Sequence, residues 1–252
     1  MATAAAYLRC LLTPRQWWNG ALGALSRVLR ARPPKHPFDR MHGVDTGGLI
    51  YADDLASGHV HDRHSAGYYA TAPSLFSGSL ELWRGTLADS GYSLSDYALV
   101  DIGCGKGRVV MLSSDFAFRE VAGVELNPQL AGVARKNLRK WMRRRRACAN
   151  VGIVQGDALT TPLLDGPVVL FFFNSFEQEM TEMWLARLAQ VAAARTEPID
   201  LIYVHPEFDD LVRKVPGVRV LADAMVPFSA EDASADAFGV AVDRCATYRL
   251  SG

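Results

Sequence analysis

Short apolar runs and stretches of helical period alternate along most of the chain. Residues 98–102, 120–126, 151–155, 168–173 and 199–204 are such runs, and each predicts a strand. The uninterrupted run at 168–173 marks a strand buried on both faces of a parallel sheet. Between the runs, apolar positions recurring every three or four residues predict helices over 74–89, from Arg108, from Pro128 and over 177–194. In the helix from Pro128 the stripe is Leu130, Val133, Ala134, Leu138, Trp141 and Met142. The chain closes differently, on strands at 218–227 and 240–250 separated by a polar, acidic loop. Without a helical crossover between them, at least one must run antiparallel. The pattern predicts a single α/β domain over 51–252, with a seven-stranded, mostly parallel sheet, helices on both faces and a C-terminal antiparallel hairpin. Residues 1–50 read as a basic extension carrying an amphipathic helix.

The junction most telling of chemistry is 98–127, ALVDIGCGKGRVVMLSSDFAFREVAGVELN. A strand ending near Asp101 meets Gly103, Gly105 and Gly107, and a helix follows from Arg108. Glycine takes positive φ without penalty, and its missing Cβ lets a nucleotide-like ligand lie against backbone N–H groups. The dinucleotide fingerprint would place its third glycine where Arg108 stands. Glu125 closes the next strand, at the place of a ribose-binding acid. Cys104 reads as a small spacer in the loop rather than a nucleophile. It is one of four cysteines, with Cys10, Cys148 and Cys245, whose wide spacing forms no metal pattern and suits a reduced compartment.

Asp101, the GxGxG spacing, Glu125 and the QGDA stretch ending at Ala158 together resemble the class I S-adenosylmethionine-dependent methyltransferases, from about Tyr69 onward. The resemblance implies a Rossmann-like fold that ends in a hairpin, and transfer of a sulfonium methyl with release of S-adenosylhomocysteine. It implies that Gly103, Cys104, Gly105 and Gly107 wrap the methionine part, with Asp101 on its ammonium. Glu125, with Leu126 beside it, would take the ribose hydroxyls, and Asp157 and the N–H of Ala158 the adenine. Tyr69 and Thr71 resemble residues that approach the methionine end, with Ala70 where relatives carry proline. Asn174, Ser175 and Phe176 resemble an Asn-Pro-Phe loop; in enzymes that methylate nitrogen, the asparagine and a backbone carbonyl of such a loop hold the acceptor. This chain has Ser175 at the proline position. On that reading Asn174 meets both cofactor and acceptor, and Phe176 meets substrate. His205 and Glu207 follow the strand 199–204, whose end faces the site, and His205 is a candidate general base or a structural histidine. Phe38 to Gly48, FDRMHGVDTGG, is similar to a segment of a functionally undefined bacterial group of these methyltransferases, either turn chemistry or a cover over the cofactor.

Charge then separates the two ends. Residues 157–252 hold 15 acids against 7 Lys and Arg, which leaves the first 156 with eight excess positive charges. Before Asp39 stand Arg9, Arg15, Arg27, Arg30, Arg32 and Lys35 with no acid. Trp18, Leu22, Leu25 and Leu29 recur at helical spacing, and Pro33 and Pro34 end the pattern. This helix packs on its own domain or docks on an anionic membrane surface or a protein partner; an organellar transit peptide is the other reading. No stretch is long and apolar enough to span a membrane, and the expected compartment is cytoplasmic, or an organellar matrix if the transit reading holds. His59, His61 and His64 form a polar loop with Asp53, Asp54 and Asp62, and lack a distant ligand at a familiar metal spacing. Arg143 to Arg146 extend a basic helix face that resembles a nucleic-acid patch, but a helix of that length carries them about 22 Å from the site. The acceptor reading favours a protein or small-molecule nitrogen. RNA, or a turnover-deficient cofactor-binding module that serves a partner, are the alternatives.

Overall fold

The computed structural model describes residues 35–251 except 65 and 89. The helix expected from Trp18 and its Pro33–Pro34 stop lie outside the described residues. Seven strands form the central sheet: β3 (Ala98–Ile102), β4 (Glu120–Glu125), β5 (Val151–Gln155), β6 (Val168–Phe172), β7 (Ile199–Val204), β8 (Val218–Pro227) and β9 (Val242–Leu250). Their spatial order is β5-β4-β3-β6-β7-β9-β8. β9 is antiparallel to both neighbours, and the other pairings are parallel. The hairpin therefore supplies the one reversed strand of this sheet, as its missing crossover requires. A smaller pair, β1 (Leu49–Ile50) with β2 (Tyr68–Tyr69), is antiparallel.

Five helices cover the sheet. On one face lie α2 (Pro73–Arg84), α3 (Arg108–Ser113) and α4 (Pro128–Trp141), and on the other α5 (Gln178–Ala193) and α6 (Asp209–Arg213). The alternation along β3 divides the core accordingly, with Leu99 packed towards α2 and α3, and Val100 and Ile102 towards α5. Every residue of β6 is fully buried, which explains its lack of polar positions. Burying each such large side chain stabilises the fold by about 1.5–3 kcal/mol.

Two short helices escape the periodicity argument. α1 (Pro37–His42) spans under two turns, and α7 (Ala230–Ala235) sits inside the loop between β8 and β9. Phe38 and Val44 nevertheless join the same core as α2 and α3. Asp39 accepts from the N–H of Thr46 at 2.9 Å and of Gly47 at 2.7 Å, while Arg108 Nε donates to Thr46 Oγ1 at 2.7 Å. The FDR..GVDT segment is thus fastened to the first residue of α3. Asp232 of α7 accepts from the N–H of Ser74 at 2.7 Å and faces His36 Nε2 at 3.5 Å. No helix among the described residues is long and apolar enough to cross a membrane.

Candidate active site

A cleft opens where β3, β4 and β6 end, at the edge where open α/β sheets bind ligands. Its walls include Tyr69, Thr71, Asp101, Gly103, Cys104, Gly105, Glu125, Leu126, Asp157, Ala158 and Phe176. The strand and turn geometry accounts for their convergence. Asp101 and Glu125 end adjacent parallel strands, and the loop 103–107 folds between them. Gly105 has φ +51°, and a Cβ there would lie 2.1 Å from the Tyr68 ring; at Gly103, with φ +73°, it would lie 2.4 Å from Ser175 Oγ. Only glycine fits both positions.

Electrostatics sharpen the picture. Asp101 is buried and has no hydrogen-bond donor among the described residues; burial and then the charge of Glu125 push its carboxyl well above the usual range. Glu125 Oε2 accepts from the Gly105 N–H at 2.7 Å and Oε1 from the Asn127 N–H at 2.8 Å. Burial raises its pKa, and these backbone N–H groups oppose the rise. Asp157 Oδ1 accepts from the Leu159 N–H at 2.8 Å, and Oδ2 lies 2.8 Å from His61 Nδ1. Thr71 is buried and its carbonyl accepts from Arg108 Nη1 at 3.0 Å.

Four sequence candidates stand outside the cleft walls. Gly107 has φ +83° and begins α3, where a Cβ would come within 3.1 Å of Ala134 on α4; its use is close helix packing. Asn174 is buried with its amide spent internally, since Oδ1 accepts from Tyr203 OH at 2.7 Å and Nδ2 donates to the carbonyl of His205 at 2.5 Å. The expected hold of Asn174 on cofactor and acceptor is therefore not the arrangement seen. With no proline at 175, Ser175 turns inward and its Oγ donates to the carbonyl of Ile102 at 2.7 Å. His205 and Glu207 follow β7, one strand beyond. Asn174 and His205 both take positive φ, 43° and 49°, a conformation that costs non-glycine residues about 1–3 kcal/mol each. The bonds among Tyr203, Asn174 and His205 hold it.

His205 Nδ1 lies 2.8 Å from Asp243 Oδ1. Burial acts to lower the His205 pKa, but the hydrogen bond and charge of Asp243, with Glu207 adding, hold it above the ordinary 6.5. A histidine raised in this way adds stability that is fully present below 6.5 and is lost as pH rises through the folded value. Asp243→Asn is therefore expected to lower the urea midpoint more at about pH 5.5 than at about pH 8.5. Equal losses at both would remove the linkage.

Sequence reasoning missed several contributors to the cleft walls. Leu55, His61 and Arg108 also line the cleft. Arg108 carried a readable signal, since it follows the last loop glycine directly. His61 carried none, because its partner lies 96 residues away. The basic run stays remote. α4 starts beside the cleft and carries its C-terminus about 20 Å off. There Arg146 pairs with Asp115 at 2.7 Å and stacks 3.8 Å over Trp141.

The residues fit the cofactor that the resemblance implies. Asp101 is a buried acid with no donor among the described residues, open to an ammonium, and Glu125 has anchored oxygens beside glycines where a Cβ would not fit. Residues 99–196 match the family described as "Methyltransferase domain". No curated protein matches the chain. Similar solved structures include the magnesium protoporphyrin IX methyltransferase of Synechocystis PCC 6803 with bound S-adenosylmethionine, at 15% identity over 70% of this chain and 79% of that one, with TM-score 0.47. TrmN from Thermus thermophilus is similar at 16% identity over 71% and 48%, with TM-score 0.45. The N-methyltransferase NodS of Bradyrhizobium japonicum WM9 is similar at 12% identity over 69% and 94%, with TM-score 0.46. Over residues 99–196, the stretch that supplies Asp101, Glu125 and Asp157 to the cleft, the chain is similar to that methyltransferase-domain family.

Proposed function

We propose that the chain methylates a nitrogen of a protein or small molecule, with the cofactor seated in the cleft of β3 and β4. The observation that carries the seat is the pair of buried acids flanking the glycine loop, one of them without a donor among the described residues. Bound there, S-adenosylmethionine supplies an electrophilic methyl and leaves as S-adenosylhomocysteine once the acceptor lone pair has formed the new bond. The chain's own residues have four tasks. Asp101 balances the ammonium, and Glu125 holds the ribose hydroxyls with Leu126 beside it. Asp157 and the N–H of Ala158 read the adenine edge. Tyr69, Thr71, Phe173 and Phe176 narrow the far wall and exclude water, which suits an alignment-driven displacement.

For the acceptor, charge at the sheet edge supports a cationic amine. β8 runs towards the cleft edge and β9 leaves it. Between their ends, residues 228–241 carry Glu231, Asp232 and Asp236 with no Lys or Arg, and Asp243 follows at the start of β9. Asp236 reaches Tyr69 OH, so this acidic loop closes over the cleft side. An acidic mouth attracts an amine and repels a nucleic-acid backbone. An amine must lose its proton before attack, and His205, held by Asp243, is the base we assign on that side.

The test begins with calorimetric titration by S-adenosylmethionine, S-adenosylhomocysteine and NAD, where the first two should bind and NAD should not. Radiolabelled methyl should then enter protein or small-amine fractions. Label confined to RNA would overturn the nitrogen reading. Binding without any methylated product would leave a turnover-deficient module instead.

A further inference from the structure

The loop of His59 and His61 is set against a cleft residue far away in sequence. His61 Nδ1 and Asp157 Oδ2 are 2.8 Å apart, and the His59 and His61 rings are 5.3 Å apart between centroids. His59, His61 and Asp157 each offer a ligand atom, and the three atoms lie within 4.8 Å of one another. Two imidazoles and one carboxylate are a donor set suited to zinc, with a fourth position left for water. Zinc bonds of about 2.0–2.1 Å in a tetrahedron place donors about 3.4 Å apart. Rotation of the exposed His59 side chain can close the remaining gap. The backbone here is already ordered for it. The Asp62 carboxylate accepts from the N–H groups of Ser57, Gly58 and His59 at 2.6, 2.7 and 3.0 Å.

We infer that His59, His61 and Asp157 form a divalent-metal site that takes zinc, and that metal and cofactor contend for Asp157. The contention rests on the proposed seat of the adenine at Asp157. One carboxylate oxygen, Oδ1, is committed to the Leu159 N–H. Oδ2 is the oxygen that turns either to the metal with His61 or to the adenine amine. Zinc therefore pins the histidine loop against the adenine end and removes its acceptor.

The experiment titrates the metal-free full chain with zinc by calorimetry and with cobalt by visible absorption, for wild type, His59→Ala and Asp157→Asn. One equivalent of metal is expected, with a tetrahedral cobalt spectrum, and each substitution should weaken zinc by at least about tenfold. Saturating zinc should weaken S-adenosylhomocysteine by at least about tenfold in wild type and leave it unchanged in His59→Ala. Absent zinc binding, or binding that survives both substitutions, would overturn the site. Equal S-adenosylhomocysteine affinity with and without zinc in wild type would overturn the contention. If S-adenosylhomocysteine fails to bind even the metal-free chain, the cofactor seat has failed instead, because the metal titration reads the site alone.

Discussion

Glu125→Ala is expected to weaken S-adenosylhomocysteine by about 100-fold or more in a calorimetric titration. Hydrogen bonds to a charged acceptor contribute about 1.5–3 kcal/mol each, and in the proposed cofactor seat two ribose hydroxyls depend on this carboxylate. A second loss comes from the loop. Glu125 also holds the N–H groups of Gly105 and Asn127, so its removal leaves two buried donors unpaired and loosens the cradle. Glu125→Gln separates the effects. The amide keeps one acceptor oxygen for the backbone but has lost the charge, so it should recover thermal stability while binding stays weak. Unchanged affinity in the alanine variant would remove Glu125 from the cofactor seat.

The largest loss of stability is expected away from the cleft, at Asp200→Ala. Asp200 is fully buried on β7 and accepts from Trp83 Nε1 at 2.9 Å, Tyr97 OH at 2.9 Å, and Arg249 Nε and Nη2 at 2.7 and 2.8 Å. Removing one partner of a buried charge pair typically costs about 3–5 kcal/mol, because the other charge stays behind without its counterion. Here Arg249 lies on β9, so the pair also ties the reversed strand to β7 and to α2. Urea unfolding should show the extrapolated unfolding free energy fall by that amount, with methyl-donor binding retained at low temperature. A loss below about 1 kcal/mol would mean that the phenol and indole find other acceptors.

The strands were legible because their apolar runs are short, uninterrupted and bounded by glycine or polar turns. Val168–Phe172 and Ile199–Val204 fall within a residue of the expected limits. Pro73–Arg84 stops short of the expected end at 89, since residues 85–87 tighten into a 3-10 turn that the helical period does not distinguish. α1 and α7 were invisible for a related reason, being too short to complete a period. Within the site, Asp101, Glu125 and Asp157 could be placed because each ends or follows a strand, and parallel strands end together. Asn174 could not. Its position at the end of β6 was right, but its amide direction depends on Tyr203, a residue on the neighbouring strand. His61 failed in the same way, as a side chain whose neighbour is set by tertiary packing alone.

The contact between His36 and Asp232 at the front of the described chain gives the fold a mechanical handle. Lys35 and His36 join the domain beside Asp232, and Asp232 is bonded to the start of α2 through Ser74. Any load applied ahead of Lys35, as by tethering that end to a bead or a surface, meets this latch before it meets the sheet. The same load runs on into α1, whose Asp39 is bonded to Thr46, and both residues contact Arg108 at the start of α3. Tension at the amino end is thereby coupled both to the mouth of the cleft, through Asp232, and to its floor, through Arg108 beside the glycine loop.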